Sequence, residues 1–67
     1  MSNQEVRDEA NEELKTVVDK LRDARKILRR DWEQLSTRER SAQTRIVKDL
    51  EQREQELIEI LETHPPH

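Results

Sequence analysis

The apolar residues of the first half of the chain recur at spacings of three, four and seven, the pattern of a helix in a coiled coil. They are Leu14, Val17, Leu21, Ala24, Leu28 and Leu35. A second set in the later half has similar spacings but is offset by one residue, and consists of Ile46, Leu50, Leu57 and Ile60. The pattern therefore predicts two amphipathic helices, with a change of phase between Leu35 and Ile46.

A capping box lies at this change of phase. Ser36 is followed three residues later by Glu39, so that each side chain can accept a hydrogen bond from the other residue's backbone amide at a helix start. Ser2 and Glu5 have the same spacing at the beginning of the chain. The predicted elements are helix 1 (about 3–34), a turn (35–36), helix 2 (about 37–63) and a tail (64–67).

Folding the chain about position 37 gives an antiparallel pairing with apolar layers. Leu28 then faces Ile46, Val17 faces Leu57, and Trp32 faces Ala42. The predicted fold class is all-α, with residues 1–67 forming a single antiparallel two-helix hairpin, a helical coiled coil. No glycine or proline enforces the turn, so an antiparallel dimer of exchanged helices satisfies the same pattern. Dimerisation of two hairpins into a four-helix bundle also remains open.

Composition favours a chain that completes its core with a partner. Apolar residues make up 30% of the sequence and charged residues 43%, with one aromatic residue and no cysteine. A chain of this size has a small core, and disulfides and thiolate metal sites are excluded, so a partner surface is the remaining source of stability. Without a signal peptide or an apolar run of about 20 residues, we expect a cytoplasmic protein that does not enter a membrane.

Six residues are candidates for binding a partner. Five lie beside the two apolar sets and widen the apolar face, either to broaden a small core or to dock onto another helical protein. They are Val18, Ile27, Trp32, Val47 and Leu61. Trp32 is the best anchor, because tryptophan is enriched at interface hot spots. The sixth, Arg53, occupies a core-type position opposite Leu21, where it covers apolar surface with its alkyl stem, or else fixes the register or meets a carboxylate of a partner.

Charge is segregated along the chain. Residues 1–14 carry five acids and one base, residues 15–48 carry eleven bases and five acids, and residues 49–67 carry six acids and one base. A hairpin therefore has an acidic open end and a basic turn. This order of charges is unfavourable for the dipole of helix 2, so the stability of the hairpin does not explain the segregation. Three explanations remain: head-to-tail association, a partner of complementary charge, or chance composition.

Other chemistry finds little support in the sequence. The helical body has no cysteine, tyrosine, histidine or glycine-rich loop, so we predict no enzyme, no cofactor and no small-molecule substrate. The basic turn raises a small RNA-binding bundle as a minor alternative, against which the net charge of −3 argues. His64 and His67 are held apart by two prolines, so no metal site is expected.

The sequence also resembles the small two-helix co-chaperones of type III secretion needle subunits. The first helix of that family is similar to residues 12–18 and 21–28, and the second to Leu35, Gln43, residues 46–47 and residues 57–61. The resemblance covers about residues 12–61. It implies a hairpin that binds a larger helical-repeat chaperone, and both together would shield the needle subunit before export. The competing expectation is a homodimeric structural or regulatory coiled coil.

Overall fold

Two helices joined by a tight turn make up the structure. The computed structural model describes residues 3–65. Helix α1 spans Asn3–Asp31, a single 3-10 turn spans Trp32–Gln34, and helix α2 spans Thr37–Thr63. No strand occurs among these residues, and the prediction of an all-α helical hairpin is confirmed. The capping box expected at Ser2 and the histidine pair that includes His67 lie outside the described residues.

The capping box at the start of α2 is confirmed in both directions. The amide of Glu39 donates to the Ser36 hydroxyl at 3.2 Å, and the amide of Ser36 donates to the Glu39 carboxylate at 3.2 Å. The backbone and then the side-chain hydrogen bond with Ser36 lower the pKa of Glu39. On the other side of the turn, the amide of Leu35 donates to the Asp31 carbonyl at 3.0 Å. These bonds satisfy backbone groups that two helix ends would otherwise leave unpaired.

The core is a narrow strip between the helices. Its buried residues form two clusters, one of Ala10, Val17 and Leu57 and the other of Leu21, Ala24 and Val47. Leu50 packs against both clusters and joins them into one strip. The predicted Val17–Leu57 layer is therefore present. Leu21 and Leu57 are the most deeply buried, each only 1% exposed.

The predicted Leu28–Ile46 layer is wrong. Ile46 is 47% exposed, whereas its neighbour Val47 is 9% exposed and packs with Ala24. Successive side chains of a helix point about 100° apart. The adjacent apolar residues Ile46 and Val47 therefore allow two rotations of α2 about its axis, one with each residue facing α1. The Gln43 side chain donates to the Ala24 carbonyl at 3.3 Å, and this orientation of α2 directs Val47 rather than Ile46 at α1.

The hairpin is a thin rod with an extensive surface. Its extents are 49 × 15 × 14 Å, and its accessible surface is 5386 Å². A compact protein of 8.1 kDa exposes only about 4,500 Å² by the usual scaling with mass. Two helices alone therefore leave more surface in contact with water than a closed fold of the same size.

Candidate partner-binding surface

Trp32 projects from the 3-10 turn at the end of α1. It is 45% exposed, and its backbone carbonyl accepts a hydrogen bond from Arg40 Nε at 2.8 Å. The guanidinium carbon of Arg40 lies 4.6 Å from the centre of the indole ring, a cation–π arrangement. Arg40 thus holds both the backbone and the ring of Trp32 in place without covering the whole ring. The predicted layer of Trp32 with Ala42 is wrong, because both residues are exposed.

An open groove of about 720 Å³ runs beside Trp32 along the first turns of α2. We call it the turn groove, and it is lined by Trp32, Thr37, Arg40, Ser41, Thr44, Arg45 and Lys48. It contains three cations, three hydroxyl groups and one aromatic ring, but no carboxylate. Within the described part of the chain, Arg45 and Lys48 form no ion pair. An apolar side chain bordered by acids would complement this groove.

A second apolar feature follows the opposite side of the hairpin. Ile46 and Ile60 lie seven residues before and after Arg53 on α2, and Ile27 lies fourteen residues after Glu13 on α1. Residues seven apart share one side of a helix, and Arg53 binds Glu13. The side of α2 that carries Ile46 and Ile60 and the side of α1 that carries Ile27 therefore lie on the same flank of the hairpin. We call Ile27, Ile46 and Ile60 the isoleucine strip.

The two surfaces are on different sides of the core strip. Thr44 lines the turn groove, and Glu51 lies seven residues further along the same side of α2. Glu51 pairs with Arg25 of α1 at 3.4 Å, whereas the isoleucine strip is on the flank of the Arg53–Glu13 pair. A partner in the turn groove therefore leaves the strip uncovered.

Arg53 of α2 joins the two helices through the Glu13 carboxylate of α1, and it also binds Glu56 on its own helix. Its Nη2 donates to Glu13 Oε1 at 2.8 Å and its Nε donates to Glu13 Oε2, so the contact is bidentate. Its Nη1 donates to Glu56 at 3.0 Å. The hydrogen bonds from Arg53 lower the pKa of Glu13, and those to Glu13 and Glu56 raise the pKa of Arg53 above its ordinary value. Of the roles expected for Arg53, this geometry fits the one that fixes the register, since the carboxylates it binds belong to its own chain and not to a partner.

The remaining candidate residues divide between the core and the surface. Val47 is buried with Ala24, which removes it from any surface of the hairpin. Leu61 is partly buried and packs against the cluster that contains Leu57. Val18 is half-buried and lines two open grooves, one on α1 alone and one that also includes Glu54 of α2, and Ile27 is 39% exposed. The core-broadening interpretation thus applies to Val47 and Leu61, and the surface interpretation to Ile27 and Trp32.

Two residues of these surfaces were missed by sequence reasoning. Arg40 is one of several basic residues near the turn, and its position eight residues after Trp32 lets its side chain reach back across the turn. The apolar pattern predicts Ile46 in the core, because its spacing to Leu50 and Leu57 is four and eleven residues. The signal that could have revealed Ile46 is the adjacent Val47, which is equally suited to the core.

The bond between Glu13 and Arg53 predicts a measurable pH dependence. Because the pKa of Glu13 is lowered on folding, its contribution to stability is present above the ordinary value of 4.5 and is lost as the pH falls through the lower folded value. Urea unfolding of the wild type and Glu13→Gln should therefore differ at pH 7 and converge on acidification. The exposed neighbour variant Glu12→Gln is the matched control. A Glu13→Gln difference that is equally large at both ends of the pH range would contradict the assignment.

Comparison with protein-family models, with curated proteins and with solved structures finds no match for this chain. Within residues 3–65, no helix has both the length and the apolar character needed to cross a bilayer. The same residues contain no group of three or more side chains suited to holding a metal ion. The functional argument therefore rests on the turn groove and the isoleucine strip.

Proposed function

We propose that this hairpin is a non-enzymatic protein-binding module that docks onto another helical protein through the turn groove. The observation that carries the proposal is Trp32, which is 45% exposed and yet held by Arg40 from two directions. A large aromatic residue that is ordered before binding loses little conformational entropy on association. Tryptophan and arginine are also the residues most enriched at hot spots.

The lining of the groove indicates the chemistry of the partner. A central apolar contact with a polar rim is the usual anatomy of a protein interface. Trp32 supplies the apolar centre, and Arg45 and Lys48 supply a cationic rim. Within the described residues, neither of these two cations forms an ion pair with a carboxylate. The partner would present an apolar side chain on a helix, with acidic residues around it that complement the rim.

The finer proposal is a cytoplasmic co-chaperone. Of the segments that resemble the needle-subunit co-chaperones, residues 12–18 and 21–28 lie in α1, and Gln43, residues 46–47 and residues 57–61 lie in α2, whereas Leu35 lies in the turn before α2. In this proposal the partner is a larger helical-repeat chaperone, and the two proteins keep the polymerising helix of a secretion needle subunit covered before export. Support comes from the resemblance and from a hairpin that leaves large apolar side chains exposed.

Reconstitution tests this proposal. The chain, tagged at its C-terminus and so away from the turn, would be co-expressed with the helical-repeat chaperone and needle subunit of a secretion system from the same genome. We expect a ternary complex and a soluble needle subunit. Equal polymerisation of the needle subunit with and without the chain would reject the co-chaperone. If the chain also binds neither protein, the turn groove loses its assigned role.

A further inference from the structure

The isoleucine strip has no role in the proposed docking of a partner at the turn groove. Ile27 and Ile46 are 39% and 47% exposed, and they occupy the same flank as the Arg53–Glu13 ion pair. Isolated apolar residues on a surface need no explanation. Here, however, Ile46 and Ile60 are two heptads apart on α2 with Arg53 between them, so apolar residues recur along one side of the rod, as on the contact side of a coiled coil. Ile60 is itself partly buried against the cluster of Ala10, Val17 and Leu57.

We propose that a second copy of this chain packs antiparallel along the isoleucine strip, so that two hairpins form a four-helix bundle. In this arrangement the turn of each copy lies beside the open end of the other. The proposal goes beyond the partner-binding function, and it uses a surface on the other side of the core strip from the turn groove.

Charge complementarity identifies the occupant and its direction. Residues 15–48, which form the turn half, carry eleven bases and five acids, a net charge of +6. The other residues carry eleven acids and two bases, a net charge of −9, and the hairpin brings them together at the open end. Parallel packing of two copies places like charges side by side, whereas antiparallel packing places each basic half against an acidic half.

The positions along the rod agree with this direction. At 1.5 Å per residue, Ile46 lies about 15 Å from the turn, and Ile60 lies about 36 Å from it. The rod is 49 Å long, so Ile60 is at nearly the same distance from the open end as Ile46 is from the turn. Antiparallel packing sets α2 of one copy against α2 of the other, so Ile46 comes within about one helical turn of Ile60 of the partner subunit.

The polar group in the middle of the strip is compatible with burial. Arg53 lies near the centre of the rod, where the twofold axis of an antiparallel dimer would pass. Its guanidinium already binds Glu13 and Glu56. Burial of an arginine that has no carboxylate partner is strongly unfavourable. Arg53 would remain paired with two carboxylates of its own chain when the interface forms. It would also favour one register of the two copies over others.

The available area is sufficient for a specific but modest association. A contact strip one helix diameter wide, about 10 Å, along a rod of 49 Å offers roughly 500 Å² on each copy. The total of about 1,000 Å² is near the lower limit for specific interfaces. We therefore expect a dimer that depends on protein concentration and weakens as salt screens the opposed ends.

Disulfide formation between single-cysteine variants tests the direction. The natural chain has no cysteine, so each variant carries one thiol. When Ile46→Cys and Ile60→Cys are mixed and oxidised, the mixed disulfide should form faster than either symmetric one. Ser41→Cys, an exposed position of the turn groove, gives the background rate. Faster symmetric disulfides would indicate parallel packing, and rates equal to the background would indicate no dimer; either result overturns the proposal.

Sedimentation equilibrium provides a second test that does not depend on the partly buried Ile60. The Ile46→Glu variant changes an exposed position, so its helicity should match the wild type, while its dimer dissociation constant should rise by about tenfold or more because a carboxylate would be buried. Ser41→Glu is the control and should dimerise like the wild type. A wild type that is monomeric at all concentrations rejects the proposal. A dimer that Ile46→Glu does not weaken also rejects it, and this is the result expected for an antiparallel dimer of exchanged helices. Failure here leaves Trp32-dependent binding intact.

Discussion

Replacing Leu57 with alanine should destabilise the hairpin by about 2–5 kcal/mol, the usual range for a fully buried leucine. Leu57 is 1% exposed and forms one buried cluster with Ala10 and Val17 of α1. Domains of this size rarely have more than about 3–5 kcal/mol of stability from a single core. The variant should therefore lose most of its helical circular dichroism at room temperature, where the wild type remains folded.

Ile46→Ala is the matched control for this prediction. Isoleucine and leucine side chains contain the same atoms, but Ile46 is 47% exposed, so its truncation removes little buried surface and should cost less than about 1 kcal/mol. Both variants should be compared by urea unfolding at low protein concentration, where association does not contribute. Equal losses of unfolding free energy in the two variants would show that Ile46 is buried like Leu57, and this result would contradict the orientation of α2.

Replacing Trp32 with alanine should weaken binding to a helical partner by about 2 kcal/mol or more, which is roughly thirtyfold in the dissociation constant. The substitution removes the apolar centre of the turn groove and leaves Arg40 without its aromatic contact. Isothermal titration of the purified partner into each variant measures the effect. Stability should change much less than affinity, because Trp32 belongs to neither buried cluster.

Gln34→Ala is the control for Trp32→Ala. Gln34 is exposed, belongs to the same 3-10 turn and does not line the groove. It should bind the partner like the wild type. An affinity that is the same for Trp32→Ala and Gln34→Ala would show that Trp32 is not an anchor. A general loss of helicity in Trp32→Ala would instead assign it a structural role at the turn.

The two proposed surfaces have different dependence on salt and concentration. Docking at the turn groove involves one end of the rod and depends on Trp32, whereas self-association extends along the rod and depends on the charges of both halves. Long-range attraction between the halves is reduced as ionic strength rises. Partner binding that persists at a salt concentration where the hairpin is monomeric would show that the two surfaces act independently.

The sequence by itself determined the elements and their connection. Helix α2 begins where the box of Ser36 and Glu39 predicts it, because the bonds of a helix cap are formed within four residues. The last three residues predicted for helix 1 form a 3-10 turn instead, a difference of one turn at a helix end. The heptad pattern was sufficient for an all-α hairpin, since both helices must bury an apolar side.

Only the tertiary structure decided which apolar residues are buried and which remain on the surface. Ile46 and Val47 are adjacent, so a rotation of α2 by about 100° exchanges their roles, and packing against Ala24 selects Val47. Pairings between distant residues, such as Arg53 with Glu13, follow from that choice of rotation and register. Sequence periodicity specifies the sides of each helix taken alone, while the fit of two helices against each other determines the surface left for a partner.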